Sequence, residues 1–101
     1  MKYAEHFYLD SEAVKEEYIR RHNEIWPEMK ALIEESGIYD YTIWLHGTEL
    51  FACYETDDME HTLKVLHGSP IKVKWDECMK GLIHFTNGSS PEMLELAFYM
   101  K

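Results

Sequence analysis

"IYDYTIWLHGTELFACYET", residues 38–56, is the stretch on which the fold turns. Two runs rich in β-branched and aromatic residues, 38–45 and 49–56, flank His46-Gly47-Thr48. Gly47 can take positive φ without a Cβ clash, so the stretch predicts a β-hairpin. Both strands are apolar on both faces. Leu50, Ala52 and Tyr54 alternate with Phe51 and Cys53, and Tyr39, Tyr41, Ile43 and Leu45 oppose Ile38 and Trp44. An antiparallel sheet covered by helices on one side should show water a polar second face. This one does not, so the second face needs a cover. A second copy of the chain is the simplest one, and a homodimer is expected.

Before the hairpin, "KYAEHFYL" (2–9) reads as a strand from its aromatic content and length. "DSEAVKEEYIRRH" reads as a helix that Asp10 or Ser11 can cap, with Glu12, Glu16 and Glu17 near its positive end. Trp26-Pro27 ends or kinks it, and a helix restarts with Pro27 at its first position and Gly37 past its end. After the hairpin, "DDMEHTLKVLH" puts Met59, Leu63 and Leu66 on one helical face. "SPIKVKWDECMKGLIHF" (69–85) reads as a further helix, with Ser69 as N-cap and Pro70 at the first position. "TNGSSPE" (86–92) is a loop, and "MLELAFYM" (93–100) a closing strand. The order β-α-β-β-α-β is α+β and ferredoxin-like, and two copies would form a dimeric α/β barrel.

The 101 residues suit one domain, 1–101. Hydrophobic residues at 46% and charged residues at 29% are those of an ordinary globular chain. A net charge of -9 disfavours nucleic acid and anionic membrane as partners. No apolar run reaches the ~18 residues of a membrane span. "MKYAEHFYLD" lacks the layout of a signal peptide. Two cysteines, Cys53 and Cys78, among apolar neighbours suit a reduced, cytoplasmic setting with buried thiols.

In and just before "EEYIRRHNEIWPEM" (16–29), Val14, Tyr18, Arg21, His22 and Ile25 share a stripe at ~100° per residue. Tyr18 and His22 lie one turn apart, where a core would prefer leucine. They are either a packed tyrosine and a satisfied core histidine or two proton-capable groups lining a pocket between helix and sheet. Tyr41 in mid-strand and Trp75 on a later helix extend the pocket reading. Aromatic walls cover the C–H patches of a sugar and polar groups meet its hydroxyls.

The same segment resembles the L-rhamnose mutarotase family, whose helix has the form E-Y-x-R-R-H-N-x-I-W-P-E. "YTIWL", the Trp of "KW" and "LELAFYM" extend the likeness over nearly the whole chain. The resemblance implies a dimeric α/β barrel, a homodimer, no cofactor, and interconversion of the anomers of L-rhamnose. It assigns the proton donor to His22 and substrate contacts to Tyr18, Tyr41 and Trp75. The family often has a tryptophan pair where this chain has Lys74-Trp75, so an ammonium could enter the site.

Mutarotation needs a proton on the ring oxygen and removal of the anomeric hydroxyl proton. Histidine can serve near neutral pH, with an unperturbed pKa of ~6.5. Which group takes the anomeric proton is not visible in the sequence. The six histidines show no His-x-His and no His-Glu-x-x-His, so no metal is expected. On the residues alone, the chain is a small dimeric α+β domain with an aromatic pocket. The other reading is a dimeric barrel that binds a small molecule or resembles a cofactor-free monooxygenase.

Overall fold

The structure, a computed structural model, describes residues 1–101. β1 (Lys2–Leu9) leads through a 3-10 turn (Glu12–Val14) into α1 (Lys15–Asn23) and α2 (Pro27–Glu35). The hairpin follows as β2 (Tyr39–His46) and β3 (Glu49–Glu55). Then come α3 (Met59–His67), α4 (Pro70–Met79), β4 (Ile83–His84) and β5 (Glu92–Met93). The sheet runs β2-β3-β1-β4, with β5 on the same edge of β1 as β4. These pairings are all antiparallel, so the ferredoxin-like β-α-β-β-α-β arrangement holds, each α being two short helices.

The sheet has two unlike faces. Phe7, Leu9, Leu50 and Ala52 join Tyr18, Met29, Leu32, Trp75 and Met79 of the helices in one buried cluster. On the other face His6 stacks on Phe51 at 4.8 Å, and Trp44 is 65% exposed. The hairpin closes through Gly47 at φ 62, which suits the first position of a two-residue turn.

Between α1 and α2 the backbone of Trp26 is extended, at φ -60 and ψ 138. The ring of Pro27 forbids the helical alternative there. Gly37 leaves α2 at φ 89, where a side chain would be strained. Beside it a buried relay ties β3, α3 and α2 together. The Thr56 hydroxyl lies 2.7 Å from the Thr62 hydroxyl, which donates to the Ser36 carbonyl at 2.7 Å.

Several expectations need correction. The helix expected over 69–85 stops at Met79: Lys80 is extended and Gly81 has φ 84. Burial of Leu82 and the free edge of β1 then draw Ile83 and His84 into the sheet. The closing strand expected over 93–100 pairs only at Glu92–Met93. From Glu5↔Met93 the antiparallel register leaves only Ala4, Tyr3 and Lys2 of β1 ahead, so residues beyond 96 have no edge to meet. Leu96 and Phe98 are accordingly 62% and 78% exposed.

A bulge in β2 also separates two tyrosines expected on one face. The register jumps between Tyr39↔Glu55 and Thr42↔Cys53, with Asp40 at φ 51. The extra residue puts Tyr39 on the face of Glu55 and Cys53, while Tyr41 keeps the helix face with Ile43 and Leu45. Neither Asp10 nor Ser11 caps the first helix: Ser11 makes no side-chain cap bond, and Asp10 meets His84 Nδ1 at 2.7 Å. Leu63 is 44% exposed, and Thr62 is the buried residue of α3. Cys53 and Cys78 are free thiols and only half-buried.

Candidate active site

α1 carries Tyr18 and His22 one turn apart, which brings their ring centroids to 4.4 Å. The edge of Trp75 on α4 meets His22 at 5.4 Å, and Trp26 meets Trp75 edge-on at 5.2 Å. Three of the four expected site residues, Tyr18, His22 and Trp75, therefore touch directly. Tyr41 lies across from them on the sheet. Its ring stacks on Tyr54 at 5.8 Å, and Tyr54 stacks on Tyr3 at the same distance. The tyrosine ladder forms the floor, and α1 and α4 the roof.

Two features hold the roof. The Arg21 guanidinium donates from Nε to Glu17 at 2.7 Å on its own helix, and from NH1 to the carbonyl oxygen of Cys78 on α4. His22 Nδ1 lies 3.3 Å from the carbonyl oxygen of Tyr18. A carbonyl can only accept, so Nδ1 carries the hydrogen and donates. Nε2, on the far side of the ring, is left free for proton exchange.

Desolvation dominates the electrostatics. Burial lowers the pKa of His22, partly offset by the bond to the Tyr18 carbonyl. Burial raises the Tyr18 hydroxyl, and the charge of Tyr41 adds to it, so the two hydroxyls act on each other across the space. Burial also raises Tyr41, followed by the charges of Glu5 and Tyr54. Tyr41 is nonetheless 42% exposed, so part of the residue is open to solvent. Tyr54 is pushed up to about 12 by burial and then by Glu5 and Tyr3.

Lys74 does not enter the site. It lies on the exposed side of α4, next to buried Trp75. Trp26 supplies the second indole beside Trp75, and the ammonium whose charge reaches this side of the sheet is Lys72. Sequence reasoning had passed over Trp26 as a helix boundary. It also passed over Glu5, although an acid in the alternating series Tyr3, Glu5, Phe7, Leu9 is a legible signal. Two surface hollows, about 210 Å³ beside Tyr3 and Tyr54 and about 280 Å³ among Asp58, Glu60, His61 and Lys64, do not include His22. The site is defined by the convergence of aromatic rings and shifted groups. No three His, Cys, Asp or Glu side chains converge as metal ligands.

Comparison with known proteins points to one family. A family model described as L-rhamnose mutarotase matches residues 2–100. An L-rhamnose mutarotase of Phocaeicola vulgatus is 36% identical over 84 residues, covering 81% of this chain and 80% of the relative. One from Oceanobacillus iheyensis is 37% identical over 83 residues, covering 80% and 79%. The crystal structure of an L-rhamnose mutarotase from Formosa agariphila superposes with a TM-score of 0.82 at 28% identity, over 100% of this chain and 99% of that one. A dimeric ferredoxin-like protein from an uncultured marine organism superposes at 0.68 with 15% identity, over 99% and 97%, and shows the fold alone.

Proposed function

The chain belongs to the L-rhamnose mutarotase family, and from that premise we propose that it interconverts the α and β anomers of L-rhamnose with His22 as proton donor. The carrying observation is the position of His22, held between Tyr18 and Trp75 with Nε2 free. The imidazolium gives its Nε2 proton to the ring oxygen. The C1–O bond of the ring breaks as the anomeric hydroxyl proton leaves, and C1 becomes an aldehyde. Rotation about C1–C2 and reclosure on the other carbonyl face return the proton to His22. Burial makes the His22 imidazolium a stronger acid. Positioned proton transfer of this kind is worth roughly 10²–10⁴-fold, which suits a reaction already proceeding slowly in water.

Tyr18 and Tyr41 hold sugar hydroxyls, and Trp75 packs on the C–H face or the methyl group. Their raised pKa values keep both tyrosines neutral and able to donate. The working unit is a homodimer. The uncovered sheet face with Trp44 and the exposed apolar residues Leu94, Leu96, Phe98 and Met100 support a second copy as the cover. The setting is cytoplasmic, in keeping with two free thiols.

Saturation-transfer NMR tests the reading: one anomeric proton of L-rhamnose is irradiated and the other observed. Transfer with the wild type and none above background with His22→Ala is the expected result. Transfer on L-fucose or L-mannose but not on L-rhamnose would move the substrate. Binding with no transfer on any of the three would mean a binding module.

A further inference from the structure

Proton removal from the anomeric hydroxyl needs a second group, and the sheet supplies one. Among paired strand residues, Glu5 is the single acid on the helix-facing side, in the series Tyr3, Glu5, Phe7, Leu9. Four acids of the chain are half-buried: Glu5, Glu17, Glu49 and Glu55. Glu17 pairs with Arg20 and Arg21, Glu49 with His6, and Glu55 with Lys2. Glu5 alone makes neither an ion pair nor a hydrogen bond. Its cross-strand neighbours are Ala52 on β3 and Met93 on β5, and the small side chain of Ala52 leaves room beside the carboxylate on the β3 side. A carboxylate partly withdrawn from water without a partner to offset the lost hydration costs stability. Such a cost at a site of proton chemistry points to function.

Its position agrees. The charge of Glu5 acts on Tyr41 and Tyr54, two of the three tyrosines of the floor, and Tyr41 acts on Tyr18, the neighbour of His22. By register Glu5 shares the helix-facing side of the sheet with Tyr54 and Tyr41, and its neighbour Ala52 packs in the same buried cluster as Tyr18 and Trp75, the residues that hold His22.

We propose that Glu5 is the base that accepts the anomeric hydroxyl proton, with His22 as the acid. This rests on the mutarotase reading of the site. In ring opening the Glu5 carboxylate takes the O1 proton and becomes a carboxylic acid. The C1–O1 bond becomes a carbonyl, the C1–ring-oxygen electron pair goes to the ring oxygen, and that oxygen takes the proton of His22. Closure on the other face runs the same transfers backwards and leaves both groups as they began. Burial raises the pKa of Glu5 and lowers that of His22, which narrows the gap between acid and base.

The groups facing Glu5 are Tyr3 on β1, Tyr54 on β3, Tyr41 on β2 and Lys72 on α4, which is itself held by Asp76 at 2.6 Å.

The test uses the full chain with Glu5→Gln and Glu5→Asp, reading anomer exchange by NMR and L-rhamnose affinity by calorimetry. For Glu5→Gln the expected result is a loss of about 10²-fold or more in exchange rate, with affinity within about 3-fold. The acid limb of the pH profile should be lost as well. Glu5→Asp, which retracts the carboxylate by one methylene, should recover part of the rate. Equal rates in all three proteins would overturn the proposal, as would a Glu5→Gln defect confined to affinity. A wild type without exchange would instead overturn the mutarotase reading itself, and an inactive His22→Ala beside an unaffected Glu5→Gln would overturn Glu5 alone.

Discussion

Arg21 donates to the backbone carbonyl oxygen of Cys78, and so locks the helix of His22 onto the helix of Trp75. Its neighbour in sequence, His22, meets Trp75 at 5.4 Å because that clamp fixes the two helices. A lysine has no planar fork to serve Glu17 and the carbonyl together. Arg21→Lys should therefore lower the exchange rate about 10-fold or more, as ~1 Å misplacements do, while the chain stays folded by circular dichroism. An unchanged rate would show that packing alone sets the His22–Trp75 geometry.

The pH dependence of stability follows from the two opposed shifts. His22 in the folded chain lies below its ordinary value of 6.5. As pH falls below 6.5, the unfolded chain takes a proton at His22 before the folded chain does, so stability drops through the lowered pKa. Glu5 lies above its ordinary 4.5, and the stability it contributes at low pH is lost as pH rises through its folded pKa. Urea midpoints at about pH 5 and about pH 7.5 should show His22→Gln reducing the acid loss and Glu5→Gln raising the neutral midpoint. A Glu5→Gln protein that is less stable at neutral pH would mean that the carboxylate has a stabilising partner.

Trp75 is 8% exposed and touches both His22 and Trp26. Truncation to alanine should cost about 3–5 kcal/mol, close to the whole stability of a small domain at about 5–15 kcal/mol. Trp75→Phe keeps an apolar ring and is the informative change. It should weaken L-rhamnose binding about 10-fold, near the 1.4 kcal/mol that separates decades of affinity, with kcat little changed.

Thr62 passes a hydroxyl relay from Thr56 to the Ser36 carbonyl in a region closed to water. Thr62→Val keeps the shape and removes the bonds, so the Ser36 carbonyl loses this donor and the Thr56 hydroxyl keeps only the Asp58 N–H as a partner. The loss should be about 1–3 kcal/mol in urea unfolding, with the exchange rate of the folded fraction unaffected. A neutral substitution would show that the Thr56 hydroxyl and the Ser36 carbonyl find other partners.

Lys74 stands where the family often has tryptophan, yet it lies on the exposed side of α4. Lys74→Ala should leave both the rate and the preference for L-rhamnose within about 2-fold, as for surface positions worth at most about 0.5 kcal/mol. A change of preferred sugar would place this position at the substrate.

Much of this protein was determined by local sequence. The hairpin over 38–56 was readable because strand alternation and a turn glycine are short-range signals. The break at Trp26-Pro27 was readable because proline acts on its immediate neighbour. Tyr18 and His22 share a face for the same reason: helical period alone sets it. The length of the closing strand and the end of α4 depended on how much edge β1 offers, which no local pattern states. The bulge at Asp40, which parts Tyr39 from Tyr41, arises from pairing with β3. Tertiary structure alone seated Trp26 on Trp75, left Lys74 exposed, and put Glu5 on the same sheet face as Tyr41. Those relationships join residues far apart in the chain, and only the packing of helices on the sheet fixes them.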